Sequence, residues 1–123
     1  MDFIDLHIHT TASDGTYTPS EVVEMALEKG LYAIAITDHD TVAGINEAIG
    51  AATGRPLKVI PGVEISSVYD NREIHVLGLN IDHHNSFLLR TLKQVEEIRN
   101  ERNEKMCSLL QIPGWALLQA YWR

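Results

Sequence analysis

Hydrophobic and polar residues alternate over the first run of the chain, Asp2 to His9: Ile4, Leu6 and Ile8 take one face, and Phe3, Asp5, His7 and His9 take the other. The spacing predicts a strand with a core face and a face that carries chemistry. Thr18-Pro19-Ser20-Glu21 reads as a capping box with proline at the first helical position, and Gly30 follows Glu28-Lys29, so a helix is expected over Pro19 to Lys29. Leu31 to Ile36 is a continuous apolar run, as in a strand covered on both faces, and it ends in Thr37-Asp38-His39-Asp40. A second helix is expected over Val42 to Thr53, with Gly54 as its stop and either Asp40 or Thr41 as its cap.

Leu57 to Ile60 reads as a short third strand broken by Pro61-Gly62, which places Glu64 at a bend. Asp70-Asn71 is a turn pair, and Glu73 to Leu79 is a fourth strand with His75 on one face and Ile74 and Val76 on the other. From about Ser86 the period becomes helical, with Leu88, Leu92, Val95, Met106 and Leu109 on one stripe, until Pro113-Gly114 ends it. Strands alternating with helices are the pattern of βα units around a parallel sheet, so the fold class is α/β.

Composition narrows the class. A length of 123 residues fits one compact domain, and 45% apolar with 22% charged residues excludes disorder. No apolar run reaches the roughly 18 residues of a membrane span. The opening MDFIDLHIH has no basic stretch, so no signal peptide is expected and the chain is expected in the cytoplasm. Cys107 is the single cysteine, which excludes a disulfide framework and a Cys-based zinc cluster; it reads as a small buried hydrophobe. Residues 1–89 hold 4 Lys/Arg against 13 Asp/Glu, whereas 90–123 hold 6 against 4, and all six histidines lie in the acidic part. Such a surface offers no strong nucleic-acid patch, because phosphate binding rests on Lys and Arg. An acidic, His-rich segment suits metal ions held by His, Asp and Glu.

The polar clusters fall where the strands end. His7 and His9 close the first strand, Asp38-His39-Asp40 follows the second and Glu64 follows the third, so separate segments deliver ligands to one mouth. His7 and His9, two apart on a strand, are either ligands of one or two metals or a pair of hydrogen-bonded histidines. Asp5 on that face is either an orienting partner or a structural acceptor. Asp14-Gly15 alone is a plain turn. His39 between two carboxylates is suited to metal binding or to acid/base work. Glu64 in an apolar stretch is costly to bury without a partner, and a metal supplies one. His83-His84 reads as a solvated turn, and the mixed charges of Arg90 to Lys105 as a solvated helix face.

Taken in order, Asp5-Leu6-His7-Ile8-His9-Thr10, Ala12-Ser13-Asp14-Gly15, Ile36-Thr37-Asp38-His39-Asp40-Thr41, Pro61-Gly62-Val63-Glu64-Ile65-Ser66 and Glu73-Ile74-His75-Val76-Leu77-Gly78 resemble successive motifs of the polymerase and histidinol phosphatase (PHP) family. The likeness covers about residues 3 to 105 and is greatest to the branch of nucleoside 3′,5′-bisphosphate phosphatases and 5′-to-3′ exoribonucleases.

The resemblance implies the N-terminal half of a distorted (β/α)7 barrel with up to three divalent ions at the strand ends, manganese first, with zinc or iron as alternatives. It implies His7, His9, Asp14, His39, Glu64 and His75 as metal ligands, Glu64 as the bridging carboxylate, and Asp38 and Asp40 as supporting residues of the catalytic site. The chemistry implied is hydrolysis of phosphate esters of nucleotides or RNA ends by metal-activated water. On this reading residues 1–123 are a single partial PHP domain: motifs in 3–80, a long helix over about 86–111 and a tail, 113–123, that fits no motif. Family members are more than twice as long and bring a further His and an Asp-x-His pair from their later part, as a truncated or frame-shifted coding region or a fragment would lack.

Two functions of different class follow: a phosphoesterase acting on a phosphorylated small molecule or nucleotide, or a catalytically weak or silent half-barrel that binds metal and associates with a partner chain. Open sheet edges favour a homo-oligomer, with Trp115, Tyr121 and Trp122 covering part of the exposed surface. An amidohydrolase-type barrel also opens on His-x-His, but Asp14-Gly15 and Glu64 fit the phosphoesterase pattern better.

Overall fold

The computed structural model describes residues 3–110, in the order β1 (Phe3–Ile8), α1 (Pro19–Glu28), β2 (Leu31–Ile36), α2 (Ile45–Ala52), β3 (Lys58–Tyr69), β4 (Arg72–Leu79) and α3 (Ser86–Leu110). Two compact units result, divided between His83 and His84. The expected helix stop at Pro113-Gly114 and the aromatic tail of Trp115, Tyr121 and Trp122 lie outside the described residues.

In the first unit the strands lie in the order β1-β2-β3-β4. β1 pairs with β2, and β2 with β3, in parallel, as βα units require. β4 departs from the expected parallel pattern: it runs antiparallel to β3 from Gly62↔Leu79 to Tyr69↔Arg72. The reason is the two-residue turn Asp70-Asn71, whose φ values of 51° and 57° are the left-handed pair that a tight hairpin needs and that Asp and Asn tolerate.

Pro61-Gly62 does not break β3, and Glu64 stands within a strand rather than at a bend. The two residues mark a change of partner. Pro61 closes the register with β2 opposite Ile36, and from Gly62 onward β3 pairs with β4. Glycine is required there, because a Cβ at Gly62 would stand 2.7 Å from Thr37 Cγ2 and 3.0 Å from the carbonyls of Ile36 and Gly78.

The core joins Val22, Val23 and Ala26 of α1, Ile34 and Ile36 of β2, Ile45, Ala48 and Ala52 of α2, and Leu57, with Ile8 packed against it. Phe3 and Ile4, at the outer edge of the sheet, remain exposed, so the expected core face of β1 is filled only toward its end. α1 begins with the expected capping box: Thr18 Oγ1 accepts from Glu21 N at 3.2 Å, and Glu21 Oε2 accepts from Thr18 N at 2.8 Å. Thr18→Ala is expected to cost about 1 kcal/mol of unfolding free energy in a urea titration. α2 starts three residues later than its pattern predicts, with Gly44 at its N-cap position instead of Asp40 or Thr41. Asp40 cannot serve there, because its φ is 50° and its Oδ1 accepts from Ser66 N at 2.8 Å.

In the second unit Asn85 Oδ1 accepts from Phe87 N and Leu88 N, both at 3.0 Å, and opens α3. Leu92 and Cys107 are buried, whereas Leu109, expected on the same stripe, is 83% exposed. No helix among the described residues is long and apolar enough to cross a membrane.

Candidate metal centre

Three backbone features bring the polar motifs together. His7 lies on β1 and His9 just beyond it, both on the same side, as their spacing of two dictates. The segment after β2 is pinned beside β3 by an isolated bridge between His39 and Glu64, in which Glu64 N donates to Asp38 O at 3.1 Å and Asp40 N donates to Glu64 O at 2.9 Å. His75 sits opposite Ser66 on β4, one alternate position from the Glu64↔Leu77 pair and therefore on the same face as Glu64.

The result is a ring of imidazoles around one carboxylate. Glu64 Oε2 lies 2.9 Å from both His7 Nε2 and His9 Nε2, and 3.6 Å from His39 Nδ1; Glu64 Oε1 lies 3.1 Å from His75 Nδ1. Asp14 completes the other side, with Oδ1 3.2 Å from His9 Nδ1 and Oδ2 3.6 Å from His39 Nε2. Neighbouring rings stand close: centroids are 5.0 Å apart for His7 and His9, 4.5 Å for His9 and His39, and 5.0 Å for His39 and His75. Their donor atoms make three groups that could each hold one ion: His7, His9 and Glu64; His9, Asp14 and His39; His39, Glu64 and His75.

All six side chains expected as ligands are thus brought together. Asp38 and Asp40 belong to none of the three groups. Asp38, 1% exposed, accepts from Thr10 N at 2.7 Å, from Ser13 Oγ at 2.6 Å and from Thr10 Oγ1 at 2.8 Å, which ties the loop bearing Asp14 to the segment bearing His39. Gly15 lets that loop fold tightly, because a Cβ there would stand 2.5 Å from His9 O. Asp5 accepts from His7 N at 3.2 Å and is exposed, so it braces the strand and touches no ring. Three contributors escaped the sequence reading: the buried Thr10 and Ser13, and Glu73, whose Oε1 lies 3.3 Å from His75 Nε2. The signal for Glu73 was the period of two that relates it to His75. His83 Nε2 lies 3.0 Å from Asn46 Oδ1 and belongs to none of the three groups.

Burial alone would raise the Glu64 pKa, but the His7 hydrogen bond and the charges of His39, His7 and His9 hold it below the ordinary glutamate value. His75 is held above the ordinary histidine value, first by Glu73 and then, against the opposing effect of burial, by Glu64. The lowered Glu64 pKa adds stability that is present above its unfolded value and lost as pH falls through its folded value. The raised His75 pKa adds stability that is present below its unfolded value and lost as pH rises through its folded value. Metal-free protein is therefore expected to be most stable between the unfolded-state pKa values of the two groups, and Glu64→Gln to flatten the acid limb and reduce the alkaline one, whose first cause is Glu73, in urea titrations across pH.

The donor set fits divalent metal. His9 Nδ1 and His39 Nδ1 are buried without an aligned hydrogen bond, each facing a carboxylate, Asp14 at 3.2 Å and Glu64 at 3.6 Å. His7 Nε2, His9 Nε2 and Glu64 Oε2 stand 2.9 to 3.0 Å from one another, close enough to share one ion. Imidazole with carboxylate suits zinc, iron or manganese.

This fold agrees with the comparisons to known proteins. Residues 5–122 match the PHP domain, and the chain belongs to that family. It is 48% identical over 115 residues to the 5′-3′ exoribonuclease Rnm of Escherichia coli, covering 89% of this chain and 39% of that protein. It is 39% identical to the 3′,5′-nucleoside bisphosphate phosphatase of Chromobacterium violaceum, covering 94% and 41%. Among solved structures, an amidohydrolase of Chromobacterium violaceum with bound sulfate and no metal superposes with a TM-score of 0.81 at 39% identity, covering 88% of this chain and 38% of that one. A metal-dependent phosphoesterase of Bifidobacterium adolescentis superposes at 0.80 with 36% identity, covering 88% and 38%. The chain therefore spans about two fifths of the length of the relatives it matches.

Proposed function

We propose that these residues form a single partial PHP domain bearing the N-terminal share of a phosphoesterase site that hydrolyses phosphate esters of nucleotides or RNA ends. The observation that carries this reading is the convergence of His7, His9, Asp14, His39, Glu64 and His75, from the first, second, third and fourth strand regions, on three overlapping ligand groups. The names of the exoribonuclease and bisphosphate phosphatase relatives supply the substrate class.

His7, His9 and Glu64 would hold one ion, His9, Asp14 and His39 a second, and His39, Glu64 and His75 a third, with manganese the proposed metal and zinc or iron the alternatives. Bound divalent metal supplies Lewis-acid stabilisation of phosphate charge and lowers the pKa of water. The protein's own part is positioning. Glu64 keeps four imidazoles facing one carboxylate, and Asp38 fixes the two segments that bring Asp14 and His39 to the ring. Asp40 fixes the same segment to β3 through Ser66 N. Few Lys and Arg accompany the acidic first unit, so neutralisation of substrate charge falls to metal. We assign the protein to the cytoplasm, acting on a phosphorylated small molecule or nucleotide and not at a membrane.

Because the chain spans about two fifths of its relatives, the fixed geometry that phosphoryl chemistry needs is incomplete, and small misplacements are costly. With manganese, these 123 residues alone are expected to turn over a nucleoside 3′,5′-bisphosphate far more slowly than a full-length relative, and the relative's remaining portion, added in cis or in trans, is expected to restore rate. Equal rates for the short chain and the full-length relative would contradict that account.

The competing reading, a weak or silent half-barrel that associates with another chain, is favoured by the exposed Phe3 and Ile4 of β1 and Ile74 and Val76 of β4, the two outer strands of the sheet. Self-association is compatible with both readings. Light scattering is expected to give a dimer or larger, and a monomer at high concentration would contradict it.

A further inference from the structure

We propose that Glu73 is a positioning residue that sets which nitrogen of His75 faces the metal centre. The inference rests on the metal reading above and adds to it a residue that belongs to none of the three ligand groups. Glu73 and His75 are two apart on β4, opposite Val68 and Ser66, so both project on the face that carries Glu64. The His75 ring lies between two carboxylates: Nδ1 is 3.1 Å from Glu64 Oε1, and Nε2 is 3.3 Å from Glu73 Oε1. His9 and His39, by contrast, turn both nitrogens toward Asp14 and Glu64.

A neutral imidazole has one N–H and one lone pair, and a carboxylate only accepts. With an ion between Nδ1 and Glu64, the one N–H of the ring is left to Nε2, where Glu73 is the carboxylate within reach to accept it. This is the usual division of labour in metal sites, where the second ring nitrogen of a ligating histidine donates to a carboxylate that fixes tautomer and ring orientation. The Glu73 side chain is 72% exposed, so as an ion pair it contributes little to folding stability. Its effect falls on the geometry of the site.

The test is a calorimetric titration of zinc into the full chain and into Glu73→Ala, Glu73→Gln and His75→Ala, with urea unfolding of each form without metal. Nitrogen-15 spectra of the histidine rings in zinc-loaded protein supply a second readout. Glu73→Ala is expected to weaken the zinc lost in His75→Ala by about 10–100-fold, with the metal-free unfolding midpoint unchanged. Glu73→Gln should recover most of that affinity, because an amide oxygen accepts the same N–H. In wild-type protein the His75 signals should show a protonated Nε2 and a metal-bound Nδ1.

Equal zinc affinity in wild type and Glu73→Ala, or a protonated Nδ1 with metal on Nε2, would overturn the assignment of Glu73 and leave the metal centre standing. Failure of wild-type protein to bind zinc would overturn the metal centre and this assignment with it.

Discussion

Glu64→Gln is expected to remove most of the stabilisation of the protein by divalent metal. Glu64 belongs to two of the three ligand groups and is the acceptor around which His7, His9, His39 and His75 are arranged. Glutamine keeps the shape but removes the charge, and its amide nitrogen presents hydrogens where a cation would sit. For wild-type protein, metal at one hundred times its dissociation constant adds about 2.7 kcal/mol per site, a value set by mass action. Urea unfolding with and without manganese is expected to separate by at least that amount for wild type and by clearly less for the variant, in which only the His9, Asp14 and His39 group is intact. A full manganese shift in Glu64→Gln would remove Glu64 from the centre.

The second large effect is expected at Asp38. Its buried carboxylate accepts three hydrogen bonds, from Thr10 N, Thr10 Oγ1 and Ser13 Oγ. Alanine would leave those donors unpaired in a site closed to water, and hydrogen bonds to a charged acceptor are worth about 1.5–3 kcal/mol each. Asp38→Ala is therefore expected to lose about 3 kcal/mol or more in urea unfolding and to loosen the loop that carries Asp14. Asp38→Asn should be milder: an amide oxygen in the Oδ1 place retains two of the bonds, and the Thr10 hydroxyl can turn to accept from the amide. If Asp38→Ala matched wild type in stability, the bracing role would be wrong.

The local signals that were legible in the sequence are those whose cause is local. The capping box at Thr18 and Glu21 depends on residues three apart, and β2 on an unbroken apolar run, so both emerged with nearly their observed bounds. His7 and His9 share a face because a strand has a period of two. The misreadings have long-range causes. Pro61-Gly62 reads as a break in one strand, yet it is a change of partner, which becomes visible only when Ile36 and Leu79 are placed beside it. Asp70-Asn71 is legible as a turn, whereas the antiparallel pairing of β4 depends on the partner strand, 62–69, that the turn folds it against. Local sequence offers Asp40 or Thr41 as a helix cap, because capping is a common local use of both residues, whereas the fold turns Asp40 Oδ1 to Ser66 N, 26 residues away.

The site divides in the same way. His7, His9, His39 and Glu64 stand out as donors from residue type and position, whereas Asp14 and His75 join them only through the resemblance to a known family. Their arrangement around Glu64 depends on the His39–Glu64 bridge and on β3–β4 register, neither of which periodicity contains. Thr10 and Ser13 were passed over because a small hydroxyl side chain carries no chemistry of its own until the buried Asp38 is seen to need donors.

Metal content bears on the central claim most directly. Purified protein loaded with manganese or zinc, then freed of excess ion, is to be compared by mass spectrometry with the His7→Ala, His9→Ala double variant, circular dichroism being used to establish that both are folded. The account predicts stoichiometric metal in the wild type and its loss in the double variant, because His7 and His9 together supply ligands to two of the three groups. Full metal content in the folded double variant, or a folded wild type that holds none, would contradict it.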